Sequence, residues 1–402
     1  MKKLLIGVTV MAMSTAVIIG LAGRRFNNNF KTEVYADTSF SAKQIQEQNA
    51  EEHKALTIQS KLKEQAQAAQ EADISEYETG VNPVKPVMKH EISMFGDSLI
   101  QGVGADGEDV PDDAVPGGKL SIAGYLQMMT GTYVNNFGAG GETSYDIAVR
   151  AGGNKISVDR DLYLTTDSFL MTFVDDENGD LFTGTDFSGL GAEEDVTDGT
   201  AYINGYAVDI QTTDITGLVE IRLSDAEING GVEKLYVPAG TNIDSKAYYE
   251  HQGDVIVIEM GSNGGWDSDY ETLISQINSI LENGNYAGFL ILGDTDDPGL
   301  SIGDLNQGNR DDNGDYIGDN NTKWEEALQE EYGDHFFNLR TYLLNNGLSD
   351  NNLVPTDEDL ADVIIGNVPT VLRNDWTHLN AYGYYSEAIG VYAKGRELTL
   401  WK

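Results

Sequence analysis

The chain has 402 residues, long enough for two domains with real cores, and its 40% hydrophobic content is too high for a disordered polypeptide. Residues 1–90 hold 11 basic and 10 acidic side chains, so residues 91–402 carry 14 and 56, a net −42 that accounts for the whole formal charge of −41. Such a surface repels phosphate backbones and anionic lipid, which argues against nucleic acid as a partner, and the absence of cysteine excludes disulfides, cysteine-ligated zinc and a cysteine nucleophile.

The N-terminus reads Met1-Lys2-Lys3, then twenty uncharged residues from Leu4 to Gly23, then Arg24-Arg25. At about 1.5 Å rise per residue such a stretch spans a hydrocarbon core of about 30 Å. Residues 1–36 are therefore expected to be a signal peptide, with Val34-Tyr35-Ala36 as its small-residue site, or an uncleaved signal anchor. Either places the rest of the chain outside the cell, secreted or held at the membrane by this segment alone. Residues 37–79 are rich in Gln, Glu, Ala and Lys, which predicts a helix. Ile45, Leu56, Ile58 and Leu62 are too sparse for a heptad seam, so a solvated stalk or spacer is expected. Pro83 and Pro86 make residues 80–90 a linker.

From residue 91 strand-like and helix-like segments alternate. Strands are expected at 92–95, 132–137, 255–260, 287–292 and 335–339, and helices at 119–129, 143–150, 270–282, 322–332 and 381–394. The run VIVIEM at 255–260 has the near-continuous apolar character of a central parallel strand. The pattern predicts an α/β domain over 91–151 and 253–402, with a doubly wound, mainly parallel sheet and functional residues on loops beyond the strands' carboxyl ends. Residues 152–252 interrupt it with alternating segments at 168–174, 201–210, 217–223 and 233–239, separated by Asn-Gly and Asp-Gly turns. They are expected to form a small inserted antiparallel β-domain.

Four of the strand-end loops carry residues suited to one reaction. The first strand ends in Phe95-Gly96-Asp97-Ser98-Leu99, where the serine hydroxyl would stand above the sheet edge. The second ends in NFGAGGET at 136–143, bare of side chains where a backbone N–H must approach a substrate oxygen. The strand at 255–260 runs into Gly261-Ser262-Asn263, and near the C-terminus Asp375 precedes His378 by three residues. If that turn is helical, Asp375 reaches the imidazole. The set reads as a serine hydrolase: Ser98 nucleophile, His378 general base and acid, Asp375 orienting it, and an oxyanion hole from the Ser98 and Gly141 N–H groups and the Asn263 amide. Among the five histidines, His378, with a carboxylate at helical spacing, is the expected base. Taken singly, Ser98 could merely cap a helix and Asn263 merely form a turn; the four blocks together argue otherwise.

These blocks resemble the SGNH (GDSL) hydrolases: FGDSL at 95–99, NFGAGGET at 136–143, GSN at 261–263 and DWTH at 375–378, in order and at strand ends. The resemblance covers about 91–151 and 253–395 and implies a flavodoxin-like three-layer fold, a Ser-His-Asp acyl-enzyme mechanism, and no cofactor or metal. In one departure, Gly264 stands where the family commonly has Asp after the asparagine. The insert, with LYVPAGT at 235–241, resembles that of a subgroup found on cell surfaces and phage tails.

Other chemistries fit less well. No G-x-S-x-G elbow or H-E-x-x-H occurs. The loop 294–319 contains eight aspartates, but Asp311-x-Asn313-x-Asp315 is followed by Tyr316 rather than Gly, and Thr322 stands where an EF-hand needs Glu. A solvated acidic loop is expected there in preference to a calcium site. The expectation is an exported esterase that removes short acyl groups, such as O-acetyl, from a neutral or weakly charged surface or environmental glycan. The alternatives are a lipase or lysophospholipase, or a glycan-binding adhesive module using the hydrolase fold as scaffold.

Overall fold

The computed structural model describes residues 42–83, 85, 87–105, 121–182, 198–213, 215–266, 270–293, 322–364, 366–375 and 377–402. The export segment at 1–36 and the acidic loop at 294–319 lie outside them; among the described residues no helix is long and apolar enough to cross a membrane.

The expected N-terminal helix forms as Ala42–Glu71, but it does not stand free as a solvated stalk. Ile58 and Leu62, four residues apart on one face, are buried against Met171, Phe173 and Leu218 of the insert. The segment after it is also laid along the insert. Tyr236 N–H donates to Glu78 O at 2.9 Å, and Asn82 N–H to Asn204 O at 2.9 Å.

The α/β domain opens with β1 (Ile92–Gly96) and β2 (Val134–Gly138). The insert supplies β3 (Ile156–Val158), β4 (Leu162–Thr165), β5 (Leu170–Asp175), β6 (Asp198–Ile203), β7 (Tyr206–Thr212), β8 (Leu218–Leu223), β9 (Lys234–Val237) and β10 (Asn242–Ser245). The chain then returns through β11 (Val255–Ile258), β12 (Gly288–Leu292) and β13 (Phe336–Phe337). The sheet order is β2-β1-β11-β12-β13, all parallel. Numbered along the α/β domain alone this is 2-1-3-4-5, with the order reversing between β1 and β11.

Successive strand residues feed opposite cores, as the two-residue period requires. Met94, Val257 and Leu290 join Leu126, Leu343 and Val391 from the helices Ile122–Thr130, Leu339–Asp350 and Ala381–Glu397. Phe95, Ile258 and Ile291 join Ile147, Ile277 and Leu328 from Ser144–Arg150, Glu271–Asn283 and Lys323–Tyr332. Helices therefore cover both faces of the parallel sheet. The helix Leu339–Asp350 was not expected: Asn345-Asn346-Gly347 lowers its propensity, while Leu339 and Leu343 bury one face of it and Leu372 packs close against Gly347.

The insert is antiparallel as expected and goes further, closing as a six-stranded barrel in the order β10-β3-β5-β8-β7-β6, with β4 and β9 paired beside it. Closure leaves no free edges to the barrel sheet. Within the alternating segment 201–210 the chain folds back at Asn204-Gly205, one of the expected turns, whose φ angles of 51° and 77° suit a two-residue hairpin turn between β6 and β7. Val174, Ile203, Val208, Ile221 and Leu223 fill the barrel, and Tyr145 and Val149 of the helix Ser144–Arg150 pack into the same cluster. The two units thus share one helix.

Candidate functional site

All four sequence blocks come out at the carboxyl edge of the sheet, around the reversal between β1 and β11. After β1, Asp97 caps the helix Ser98–Gln101 by accepting the Leu99 N–H on Oδ1 at 3.0 Å, which places Ser98 as its first residue. After β2, the chain passes so close to this helix that a Cβ on Gly138 would lie 2.0 Å from Gln101 N. Gly141 follows with φ 81°, a left-handed conformation that favours glycine, and Thr143 then caps the helix Ser144–Arg150 with a reciprocal box to Asp146.

The histidine loop is not helical, which corrects the reason given for its spacing. Asn374 N–H donates to His378 O at 2.9 Å and Arg373 bridges Leu379, so 374–378 is a closed turn. Asp375 Oδ1 accepts the N–H groups of Thr377 at 2.9 Å and His378 at 2.7 Å, and this side-chain turn brings carboxylate and imidazole together. Oδ2 then lies 3.0 Å from His378 Nδ1, and His378 Nε2 lies 3.0 Å from Ser98 Oγ. With the ring proton on Nδ1 and donated to the Asp375 carboxylate, Nε2 presents its lone pair to the serine hydroxyl. Partial burial pushes the Asp375 carboxyl up, but the hydrogen bonds from His378 and Thr377 outweigh it and hold the group below its usual range, ionised at neutral pH.

Asn263 meets the same centre. Its Nδ2 donates to Asp97 Oδ2 at 3.0 Å and to Glu142 O at 3.1 Å, tying the asparagine loop to the serine and glycine loops. The loop is held with Gly264 after the asparagine: Ser144 N–H donates to Gly264 O at 2.9 Å, Gln276 Nε2 to Gly265 O at 2.9 Å, and Trp266 Nε1 to Gly261 O at 2.8 Å. The backbone N–H groups of Ser98 and Gly141 donate to no acceptor among the described residues. Ser98, His378, Asp375 and Asn263 are thus assembled by direct contacts or through Asp97. Gly141 sits on the adjoining loop, one residue before the Glu142 carbonyl.

Two supports were missed in the sequence. Asp97, 1% exposed, is the shared acceptor just described. Arg150 and Glu142, 4% and 5% exposed, form a buried ion pair; the guanidinium also donates to Gly96 O at 3.1 Å and to Phe137 O, clamping the ends of β1 and β2. No spacing rule joins Glu142 to Arg150, since they meet across a loop and a helix. His378 does not stand alone in its spacing, because His251 too has a carboxylate three residues away. It pairs with Asp254 at 2.9 Å, while Asp254 also accepts from Ser93 Oγ and Glu91 N–H, each at 2.8 Å. That cluster opens β1 and β11 at the opposite edge of the sheet and staples their starts together.

The chain matches no family model, no curated protein and no solved structure.

Proposed function

We propose that this chain is an exported serine esterase of the SGNH (GDSL) type, built on that family's flavodoxin-like fold, which removes ester-linked short acyl groups such as O-acetyl from a cell-surface or environmental glycan. The observation that carries the reading is the continuous relay from Ser98 Oγ through His378 to Asp375, with both links at 3.0 Å. Ser98 attacks the acyl carbon as its proton passes to His378 Nε2, and Asp375 stabilises the imidazolium. The tetrahedral oxyanion is received by the N–H groups of Ser98 and Gly141 and by the Asn263 amide, which shares one of its protons to do so. Collapse releases the sugar hydroxyl with the proton from His378, and water then repeats the sequence on the acyl-enzyme. None of these steps calls for a metal or cofactor.

The net −42 of residues 91–402 supports a neutral glycan over an anionic one. The test is hydrolysis of p-nitrophenyl acetate beside longer-chain esters, by wild type and Ser98→Ala. Fast cleavage of acetate by wild type alone supports the reading. Equal inertness of both proteins on every ester sinks it in favour of a binding module, and rates rising with chain length favour a lipase.

A further inference from the structure

Outside this centre a groove of about 860 Å³ lies between the helix Ala42–Glu71 and the barrel. The volume is within the range of about 300–1,000 Å³ for small-molecule sites. None of its lining residues belongs to the parallel sheet or its helices, so it is separate from the Ser98 centre. The seam of Leu62 against Met171 anchors the helix that forms one wall.

Tyr77 and Tyr163 line the groove half-buried and meet edge to face, with ring centroids 5.2 Å apart and planes at 85°, so their ring planes stand at right angles; Lys234 Nζ lies over the Tyr77 ring 5.5 Å from its centroid. Tyr236 continues the row 5.1 Å from Tyr163. Phe169 adds a further ring to the lining, with the Arg222 guanidinium 4.8 Å from its centroid. The polar groups are planar and already ordered. Arg160 makes a two-pronged pair with Asp159 at 2.7 and 2.8 Å, and Asp161 Oδ1 is fixed by Ala239 N–H at 2.9 Å.

Charge narrows the occupant. The lining has two cations, Lys61 and Arg160, against Glu64, Asp159, Asp161 and Glu220, and both cations are paired with carboxylates of the lining. An anionic polymer would meet uncompensated repulsion. Perpendicular aromatic faces suit the C–H faces of pyranose rings, and ordered carboxylate and guanidinium groups suit their equatorial hydroxyls. An open groove passes a chain through where a closed pocket would hold a single ring.

We propose that this groove binds a neutral or amino-substituted oligosaccharide chain and serves as a second carbohydrate site that does no chemistry. The experiment is calorimetric titration of the full chain in detergent with xylo-, cello-, manno- and chito-hexaose and, as an anionic control, oligogalacturonate. At least one neutral or amino hexaose should bind, and Tyr163→Ala should weaken it about tenfold or more. Tyr163→Phe, which keeps the ring, should retain most of the affinity. Ala69→Arg obstructs the groove from the helix wall without touching the barrel core and should abolish binding, which keeps the test decisive if Tyr163→Ala fails to fold. Ser98→Ala should bind as wild type does, so the outcome stands apart from the esterase reading. The proposal is overturned if no neutral or amino hexaose binds, if only oligogalacturonate binds, or if Ala69→Arg binds unchanged.

Discussion

Asn263 donates its side-chain amide to Oδ2 of Asp97 at 3.0 Å, while the other oxygen of the same carboxylate takes the Leu99 N–H at 3.0 Å. The residue just before Ser98 therefore sets both the turn that presents the serine and the orientation of the Asn263 amide, the group proposed to face the oxyanion. Asn263→Ala should lower kcat on p-nitrophenyl acetate about 10²–10³-fold with little change in KM. Asp97→Ala, acting through Asn263 and the helix start, should cost about 10²-fold. Steady-state kinetics beside circular dichroism checks both; an Asn263→Ala protein of wild-type kcat would remove the amide from the mechanism.

The two glycines of the second loop separate conformation from space. A Cβ on Gly141 meets nothing within 4 Å, so Gly141→Ala has only its φ of 81° to resist it, about 1–2 kcal/mol of strain. A Cβ on Gly138 would stand 2.0 Å from Gln101 N, which no side-chain movement relieves. Gly141→Ala should fold with a modestly lowered Tm and impaired kcat, whereas Gly138→Ala should express poorly or melt far lower. Similar melting temperatures for the two would contradict this description of the loop.

Much of this was legible in the sequence because it rests on local signals. Strand runs such as 255–260, turn pairs such as Asn204-Gly205, and the blocks that follow β1, β2 and β11 each carry their own pattern, whereas the block at 375–378 follows no strand but the short helix Thr370–Leu372. What was not legible depends on distant partners. Barrel closure is decided by β6 pairing with β10 across some forty residues, and the helix Leu339–Asp350 runs through an Asn-Asn-Gly stretch while Leu339 and Leu343 are buried among residues distant in sequence. The few apolar residues of the helix Ala42–Glu71 are too sparse for a seam along the whole helix, and the barrel covers only the one patch around Ile58 and Leu62. Asp97 passed unnoticed for a related reason: its place in the block was plain, but its bond to Asn263 spans 166 positions.

That patch gives a direct test of the docked helix. Leu62, 4% exposed, packs on the barrel with Ile58 beside it. Leu62→Asp buries a charge without a partner and should release the helix. Limited proteolysis should then cleave within residues 42–71 much faster than in wild type, while hydrolysis of p-nitrophenyl acetate, which uses none of these residues, stays unchanged. Unaltered protection would mean the helix is held by something other than this seam.

The staple at the opposite edge predicts a pH effect. Burial pushes the Asp254 carboxyl up, but hydrogen bonds from His251, Glu91 and Ser93 more than offset it and hold the group below its ordinary value of 3.8. A carboxyl lowered in the folded state contributes stability that is complete above its unfolded value, near pH 4, and is lost as pH falls through the folded value. Asp254→Asn should therefore melt below wild type at pH 6, with the gap in Tm narrowing as pH drops from about 4 toward 3. A gap of constant size across that window would show that the charge of Asp254 contributes nothing.

The central claim is that His378 makes Ser98 a nucleophile, and covalent capture reads that directly. Wild-type protein treated with diisopropyl fluorophosphate should gain one phosphoryl adduct, located by peptide mass spectrometry at Ser98. His378→Ala should label at least about 10³-fold more slowly. No adduct on Ser98, or equal labelling rates with and without the imidazole, would contradict the account.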